Sequence, residues 1–366
     1  MPDHITEPHT PIAIVGAGPI GLELAAGLKR AGADYLHFEA QQIGHTFTWW
    51  PRNTPFFSTP ERIAIAGVPI PTTDQRRITG EEYLAYLRMV VELLDLQVRT
   101  FEPVTRVEPL AGGGFRLHSR TRLGERTTRA DAVIVASGGM ARPRLLGIPG
   151  EDLPHVSHHF ESPHTTFRQR LLVIGGRNSA LETAIRCWRA GAQVALSYRG
   201  EDIDRERVKQ FLWQEFDALV EHGKIAYYPG TVPTEITPEH VVLAPTGEAG
   251  DANGQRQTIP ADFVLLQTGY VADMTLFREA GVTLVGEEQR PLLDEEMMET
   301  DVPGLYAAGT AAGGTQQRFE LFIETSHIHV QRIVRALTGQ TPVVASVPAR
   351  NYNLKLEEGE RPVSHR

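Results

Sequence analysis

The chain is poor in cysteine, since Cys187 is the only one among 366 residues. A single cysteine can form neither an internal disulfide nor a CxxC redox pair, which favours a reducing, cytoplasmic compartment. Apolar runs of membrane-spanning length are missing, as is a basic N-terminal stretch followed by an apolar one. The sequence therefore predicts neither a membrane partner nor a signal peptide. No block rich in lysine and arginine occurs and the net charge is −9, which argues against nucleic acid as a partner.

What the sequence does contain is the composition of an ordinary globular protein. Hydrophobic residues make up 41% and charged residues 22%, which is enough apolar material for large cores. The pI of about 5.9 fits a weakly acidic protein. At roughly 150 residues per domain, the length predicts two or three domains.

A glycine-rich turn after an apolar segment organises the N-terminal part of the chain. The run Ile12–Val15 predicts a buried parallel strand, and the turn that follows opens a helix. Three glycines have separate roles: Gly16 permits the tight bend, Gly18 lets the backbone approach a pyrophosphate, and Gly21 lets helix and strand pack closely. The helix N-terminus at Pro19 would present unpaired N–H groups to the phosphates.

An acidic residue follows the second strand of this unit, Tyr35–Phe38. Glu39 lies 23 positions after Gly16, close to the offset at which a carboxylate accepts a hydrogen bond from a ribose hydroxyl. Its charge would repel a 2′-phosphate, so the site suits FAD or NAD rather than NADP. A glycine-rich turn without a ligand is the alternative.

The same pattern returns in the middle of the chain. A predicted strand, Leu171–Ile174, leads through a glycine turn into a predicted helix, Leu181–Ala190. The next strand ends in Arg199 where the first unit has Glu39, and an arginine at this place accommodates a 2′-phosphate. The second unit therefore predicts NADPH. Its candidate contacts in the turn are Gly175, Arg177, Asn178 and Ser179.

The second turn departs from the usual fingerprint because Arg177 holds the place of the second glycine. Its side chain must point away from the pyrophosphate or contact a phosphate itself. Three basic residues follow Arg199, namely Arg205, Arg207 and Lys209. They either add to the phosphate site or form an ordinary solvated face.

An aromatic, proline-rich segment, residues 41–71, lies between the two units. Because proline breaks regular structure, it reads as a loop. It either covers the sheet or forms a wall around a planar cofactor, with Thr46, Phe57 and Ser58 as contacts. Further candidate cofactor contacts stand at strand ends: Gly138, Gly269, Gly309 and Thr310.

These units predict an α/β protein with two nested three-layer dinucleotide-binding, Rossmann-like domains. The FAD-binding domain is discontinuous, residues 1–150 and 290–366, and the NADPH-binding domain is inserted at 155–285. Short alternating segments predict a small antiparallel sheet: Leu96–Val98, Val104–Val107 and Phe115–His118. A late helix is predicted from Arg318 to Leu337. The pattern indicates no metal site and singles out no catalytic side chain.

Two nested dinucleotide folds with a late Gly-Leu-Tyr-Ala-Ala-Gly segment resemble the flavin-dependent pyridine nucleotide-disulfide oxidoreductases of thioredoxin-reductase type. Within that group the chain looks most like the bacillithiol disulfide reductase family. Four segments carry this resemblance: Phe56–Glu61, Val156–His159 with His164, Val173–Ala180 and Phe322–Thr325. It covers almost the whole chain. The resemblance implies FAD in the first fold, NADPH in the second, hydride passage from nicotinamide to flavin, and a cytoplasmic homodimer.

The chain departs from these families at the residues that carry thiol chemistry. It has no CxxC pair, and Ile20 stands where the bacillithiol disulfide reductase family places a cysteine. Cys187 lies in the middle of a predicted helix, which is typical of a buried structural thiol. In thioredoxin reductases the late strand ends in an aspartate that touches the flavin, and here Thr310 takes that place.

We therefore predict an FAD-dependent NADPH oxidoreductase whose electron acceptor is a small disulfide or a protein. The alternatives are a flavin monooxygenase, a reductase of ferredoxin or flavodoxin, and a flavin-binding redox sensor without turnover. Three histidines, His158, His159 and His164, are either proton donors near the flavin or surface residues.

Overall fold

The computed structural model describes residues 7–74, 76–246, 256–318 and 320–342. These residues divide into two compact units. The first comprises residues 7–49, 53–142 and 270–342, and the second comprises residues 50–52 and 143–269, apart from the gaps just given. Each unit contains its own parallel sheet and its own core.

The regular elements have the following bounds. The α-helices are α1 (Pro19–Arg30), α2 (Pro60–Ile63), α3 (Gly80–Leu93), α4 (Asn178–Arg189), α5 (Gln210–Glu221), α6 (Thr275–Glu279) and α7 (Ile323–Thr338). The longer strands are β1 (His9–Val15), β2 (Tyr35–Phe38), β3 (Val104–Pro109), β4 (Phe115–Thr121) and β5 (Gly124–Val135). Two short strands, β6 (Arg142–Pro143) and β7 (Val156–Ser157), precede β8 (Arg170–Ile174), β9 (Gln193–Ser197), β10 (Ile225–Tyr228), β11 (Thr231–Ile236), β12 (His240–Pro245), β13 (Gln257–Pro260) and β14 (Phe263–Leu266). The remaining strands are β15 (Tyr270–Val271), β16 (Leu284–Val285), β17 (Arg290–Pro291), β18 (Leu293–Asp294), β19 (Glu299–Thr300) and β20 (Leu305–Ala307).

The first unit is built on an eight-stranded sheet with a parallel centre. The strands β20, β5, β1 and β2 run parallel in this spatial order. The hairpin β3–β4 extends β5 on an antiparallel side, and β18–β19 extends β20. Helices α1 and α7 pack together closely. If Gly27 of α1 carried a Cβ, that atom would lie only 3.1 Å from the Val334 side chain of α7. Small residues in α1 therefore allow close helix packing.

Helix α3 shows how the sequence defines a boundary. Thr79 caps its N-terminus, since the Thr79 hydroxyl accepts from the N–H of Glu82 and the Glu82 carboxylate accepts from the N–H of Thr79. Such reciprocal bonds satisfy two N–H groups that have no partner inside the helix. Tyr83 and Leu87, one helical turn apart, are fully buried against the unit.

The second unit has three layers. Its parallel sheet has the order β10-β9-β8-β14-β7. Leu171 and Val173 of β8 pack with α4 and α5 on one face, whereas Leu172 and Ile174 pack with strands of the antiparallel sheet β11-β12-β13 on the other. This alternation follows from the two-residue period of a strand.

The predicted α/β class with Rossmann-like parallel sheets is confirmed, but not every predicted element has the predicted bounds. Residues 96–98 form no strand, because the N–H of Leu96 bonds to Val91 at the end of α3. Strand β5 begins at Gly124, before the apolar residues that start at Ala130, since its polar first half pairs with β4. Helix α7 begins at Ile323 rather than Arg318. The side-chain oxygen of Gln316 accepts from the N–H groups of Glu320 and Leu321, which takes them out of a helical ladder.

Within the described parts of the chain, every helix is too short or too polar to cross a membrane.

Candidate functional site

The carboxyl ends of four parallel strands meet at one edge of the first unit. Open α/β sheets bind ligands at this edge. Five of the candidates in this unit follow β2, β1, β5 and β20: Glu39, Gly16, Gly138, Gly309 and Thr310. The sheet thus brings together residues that lie as far as 294 positions apart, from 16 to 310.

The backbone of the first glycine turn is shaped for a bulky ligand group. Gly16 has φ +106°, and a Cβ there would lie 2.5 Å from the carbonyl oxygen of Ala136. A Cβ at Gly21 would lie 1.9 Å from the carbonyl oxygen of Gly16, so this position also demands glycine. In contrast, a Cβ at Gly18 would meet nothing within 4 Å. Open space therefore faces Gly18, at the N-terminus of α1, where a pyrophosphate has room.

The Glu39 carboxylate is held against this turn. Its Oε2 accepts from the N–H of Ala17 at 2.6 Å, and its Oε1 accepts from the N–H of Gln41 at 2.9 Å. Each carboxylate oxygen has a further lone pair that a ribose hydroxyl can use. Glu39 is half-buried, so its carboxylate stays reachable.

The turn also involves a histidine that the sequence analysis did not select. His37 of β2 is buried, and its Nε2–H donates to the carbonyl oxygen of Gly16 at 2.9 Å. Burial lowers the pKa of His37 to about 4, and the bond to the Gly16 carbonyl opposes this effect only in part. The imidazole is therefore neutral at physiological pH. The available signal was a polar residue inside an otherwise apolar strand next to Glu39.

The loop after β20 is tied to two neighbouring elements. The N–H of Gly309, which has φ +65°, donates to Nδ1 of His329 in α7 at 3.2 Å. The hydroxyl oxygen of Thr310 accepts from the N–H of Gly139 at 2.9 Å. Ile20 lies against Gly309 and is 6% exposed, so the position that is a cysteine in the resembled family is closely packed here.

The aromatic loop serves partly as a cover. Phe47 and Phe56 are buried and pack against Tyr83 of α3, with ring centroids 5.1 and 4.8 Å away. Phe57 is 36% exposed and Thr46 is half-buried. The hydroxyl of Ser58 donates to Oε1 of Glu324 in the first turn of α7 at 2.7 Å. The same loop therefore contributes to the core and leaves Phe57 at the surface.

The second unit places its own glycine turn at the carboxyl end of β8. Gly175 has φ +147°, and a Cβ at Gly176 would lie 2.2 Å from the ring of Tyr198. Arg177 is the N-cap residue of α4. The side-chain oxygen of Asn178 accepts from the N–H of Lys209 at 2.8 Å. Ser179 and Gly269 are exposed, the latter after β14 with φ +89°.

Positive charge gathers around this second turn. Burial and the nearby guanidinium of Arg207 lower the pKa of Arg177, with a smaller effect from Arg199. Mutual repulsion of this kind indicates that the three cations share a small region. A phosphate group would relieve this repulsion, whereas the Glu39 carboxylate at the first turn would repel the 2′-phosphate of NADP.

The arginines that follow β9 differ in their partners. Arg205 bonds to Asp217 at 3.2 Å and lies 4.9 Å from the ring centre of Trp213. Arg207 pairs with Asp204 at 3.1 Å. Arg199 is exposed, and within the described chain its side chain has neither a hydrogen bond nor an ion pair. Its guanidinium is therefore available for a ligand.

The three histidines before the second turn occupy different environments. His158 is mostly buried, 3.4 Å from Glu151, beside a cleft of about 510 Å³ in the second unit. Burial and the neighbouring His158 lower the pKa of His159, which is half-buried. His164 is exposed. His158 and His159 both line this cleft, whereas His164 is not among its lining residues.

The single thiol is buried, and the possible metal ligands of the described residues form no cluster. Cys187 is fully buried in α4, and burial raises the pKa of its thiol. Such a thiol is a poor nucleophile because thiolates carry the reactivity. Among the residues that the structure describes, no group of histidine, cysteine and carboxylate side chains could hold a metal ion.

Both turns fit their expected groups on structural grounds. The first offers open space at Gly18 and a fixed carboxylate at Glu39, which suits the diphosphate and ribose of FAD. The second offers a helix N-terminus with several guanidinium groups, which suits NADPH.

Comparison with known proteins places this chain among pyridine nucleotide enzymes. The family model described as pyridine nucleotide-disulphide oxidoreductase matches residues 13–309. Bacilliredoxin reductase Bdr of Bacillus subtilis (strain 168) is 34% identical over 318 residues, which are 86% of this chain and 94% of the relative. A ferredoxin–NADP reductase of Ignicoccus hospitalis is 27% identical over 306 residues, 81% of this chain and 88% of the relative.

A solved structure agrees with these relatives. Bacillithiol disulfide reductase Bdr from Bacillus cereus superimposes with a TM-score of 0.84 at 31% identity, covering 90% of this chain and 99% of the other. Thioredoxin reductase of T. acidophilum, at 20% identity, has the same fold with a TM-score of 0.67.

Proposed function

This chain belongs to the pyridine nucleotide-disulphide oxidoreductase family and is an FAD-dependent NADPH oxidoreductase, and we propose that its electron acceptor is a low-molecular-weight disulfide. The overall reaction would consume NADPH, a proton and one disulfide, and release NADP⁺ and two thiols. The bound flavin supplies the redox chemistry, accepting a hydride and returning two electrons. The protein's own residues would bind and orient the two cofactors and the substrate, and would exclude water from them.

The opposite charges of the two glycine turns carry this proposal. Glu39 is fixed at the first turn, and Arg177 and Arg199 stand at the second. A carboxylate binds ribose hydroxyls and repels a 2′-phosphate, whereas guanidinium groups bind that phosphate. We therefore assign FAD to the first unit and NADPH to the second.

The disulfide acceptor is supported by the relatives named for bacilliredoxin and bacillithiol disulfide. In this chain the acceptor would have to react without a thiol relay from the protein. Ile20 fills the place of the family's turn cysteine, and Cys187 is buried in α4. Neither Ile20 nor Cys187 would therefore take part in reducing the substrate disulfide.

An anaerobic titration tests the donor half of the proposal. The flavin absorbance near its visible maximum is recorded while NADPH, and separately NADH, is added. Rapid bleaching by NADPH with much slower bleaching by NADH supports the assignment. Equal rates, or no bleaching, would contradict it.

A panel of acceptors then tests the other half. NADPH consumption is measured with low-molecular-weight disulfides, with ferredoxin and flavodoxin, and with oxygen. Thiol release equal to twice the NADPH consumed supports the disulfide. Turnover with ferredoxin alone would favour the second candidate, for which a 27% identical relative is the supporting observation. Oxygenated product would instead indicate a monooxygenase.

The compartment and the oligomeric state complete the proposal. We expect a cytoplasmic homodimer. The cytoplasm is expected because a chain with a single cysteine cannot form an internal disulfide, the feature typical of proteins in oxidising compartments. Light scattering of the purified protein would give the oligomeric state, and a monomer at micromolar concentration would contradict it.

A further inference from the structure

We propose that His37 is a positioning residue of the FAD site, which fixes the Gly16–Ala17 peptide and through it the carboxylate of Glu39. This inference rests on the assignment of FAD to the first glycine turn. It goes beyond that assignment because it gives a function to a side chain that is buried beneath the turn.

The peptide unit between Gly16 and Ala17 is held at both ends by side chains. Its carbonyl oxygen accepts from Nε2–H of His37 at 2.9 Å. Its N–H donates to Oε2 of Glu39 at 2.6 Å. His37 and Glu39 flank Phe38, whose own carbonyl accepts from the N–H of Gly16 at 2.8 Å. Rotation of this peptide would break both side-chain bonds at once.

The two-residue period of a strand explains how His37 and Glu39, two positions apart, both reach the Gly16–Ala17 peptide from the same side of the chain. His37 pairs in register with Ile14 of β1 and is 1% exposed, so its ring lies inside the unit. Glu39 follows the strand and is half-buried. The histidine thus holds the turn from the core and the glutamate holds it from the ligand side.

A histidine is an unfavourable choice here unless its bond to the turn matters. The Nδ1 atom of His37 is buried and has no hydrogen-bond partner among the described residues. An unpaired buried acceptor is destabilising. An apolar side chain of the same size would avoid this penalty, but it would leave the Gly16 carbonyl without its donor.

The space near this bond is also restricted. A Cβ at Gly21 would lie 1.9 Å from the Gly16 carbonyl oxygen and 3.3 Å from Nε2 of His37. The first turn of α1 therefore closes over the same hydrogen bond. This leaves the carbonyl little freedom to find another orientation.

Two amide variants test the proposal with matched polarity. In His37→Gln the side-chain nitrogen reaches the position of Nε2, whereas in His37→Asn it falls short near Nδ1. We expect His37→Asn to speed FAD dissociation from the holoenzyme about five- to tenfold, and His37→Gln about twofold or less, as the loss or retention of one buried hydrogen bond predicts. FAD release is followed by the rise of flavin fluorescence on dilution, and thermal melts confirm that both variants are folded.

A double-mutant cycle with Glu39→Ala shows whether His37 acts through the carboxylate. We expect His37→Asn to change FAD dissociation less than twofold when residue 39 is alanine, since coupled residues are not additive. Additive effects, or equal dissociation from the Asn and Gln variants, would overturn the inference. If Glu39→Ala alone leaves FAD dissociation unchanged, the FAD assignment itself is wrong. If Glu39→Ala accelerates dissociation while His37→Asn does not, only the positioning role is wrong.

Nitrogen NMR of the histidine rings supplies a readout independent of cofactor release. We expect His37 to remain the neutral tautomer with a proton on Nε2 between pH 6 and 9. A titrating ring or the opposite tautomer would contradict the donor role.

Discussion

Nδ1 of His327 in α7 lies 2.6 Å from Oε2 of Glu23 in α1, and 2% of Glu23 is exposed. The other ring nitrogen, Nε2, lies 3.1 Å from the carbonyl oxygen of Arg62. Both nitrogens therefore face acceptors, which only the protonated imidazole can satisfy together. Burial lowers the pKa of His327, but the Glu23 carboxylate and the Arg62 carbonyl outweigh it, so the net shift is upward from 6.5.

This pair predicts a loss of stability in alkali. A raised pKa in the folded state stabilises below the unfolded value of about 6.5, and the contribution disappears as pH rises through the folded value. Urea unfolding of the apoprotein from pH 6 to 9 should show a decrease in the free energy of unfolding as His327 loses its proton. Glu23→Gln should remove most of this decrease.

The half-buried pair His118–Glu108 offers a control for that experiment, since 34% of each side chain is accessible, against 21% for His327 and 2% for Glu23. His118→Gln removes an imidazole beside a carboxylate without altering the Glu23–His327 pair, and is therefore the matched control variant. Parallel pH profiles for wild type and Glu23→Gln would show that the Glu23–His327 pair is not the cause.

Two histidines predict a separate loss of stability in acid. Burial lowers the pKa values of His37 and His329 to about 4. A depressed pKa stabilises above the unfolded value and the contribution is lost as pH falls, here between about 6.5 and 4. Each group can contribute up to about 1.4 kcal/mol per pH unit in this window.

His329→Asn isolates one of these groups. Its side-chain oxygen can still accept from the N–H of Gly309, but it does not titrate. We expect this variant to lose less stability than wild type between pH 6.5 and 4 in urea unfolding. An unchanged acid slope would mean that His329 is protonated in the folded protein.

The glycines of the first turn should separate binding from folding. A methyl group at Gly18 meets open space, whereas one at Gly21 meets the Gly16 carbonyl at 1.9 Å. Gly18→Ala should therefore keep its thermal stability but weaken FAD binding about tenfold or more by filling the space for the pyrophosphate. Gly21→Ala should unfold at a lower temperature, because its backbone has to shift.

Calorimetry and FAD titration of the refolded apoproteins check both variants. Equal FAD affinity for Gly18→Ala and wild type would mean that the diphosphate lies elsewhere.

The arginines after β9 should differ in their effect on the nucleotide. Arg199→Ala removes an exposed guanidinium available to the 2′-phosphate, and we expect KM for NADPH to rise about tenfold with KM for NADH unchanged, as loss of one charged hydrogen bond predicts. Arg205→Ala is the matched control, since that guanidinium bonds to Asp217. Steady-state kinetics with NADPH and with NADH give the two KM values. An equal rise of both KM values in Arg199→Ala would contradict a contact of Arg199 with the 2′-phosphate.

The parts of the structure that the sequence predicted depend on local constraints. Gly16 and Gly175 have positive φ values next to apolar strands, and such positions show directly in the residue order. Glu39 after β2 and Arg199 after β9 could be predicted for the same reason, since each stands one or two residues after a recognisable strand. These patterns indicated both Rossmann-like units without any knowledge of distant contacts.

What could not be predicted depends on pairs that are far apart in sequence. Glu23 and His327 lie 304 positions apart, and Ser58 and Glu324 lie 266 apart. Neither partner has a local signature, because an isolated histidine or glutamate in a helix is most often solvated. The contact of His37 with the Gly16 carbonyl could not be predicted, because it depends on which face of the four-residue strand β2 is buried.

The burial of Cys187 makes this protein convenient for fluorescence work. Because its only native thiol is fully buried in α4, a maleimide dye should ignore the unmodified chain. Leu123 in the first unit and Glu239 in the second are exposed. Cysteines introduced there would accept a donor and an acceptor dye without a cysteine-free background having to be engineered first. Energy transfer within single molecules would then report the distance between the two dyes during turnover.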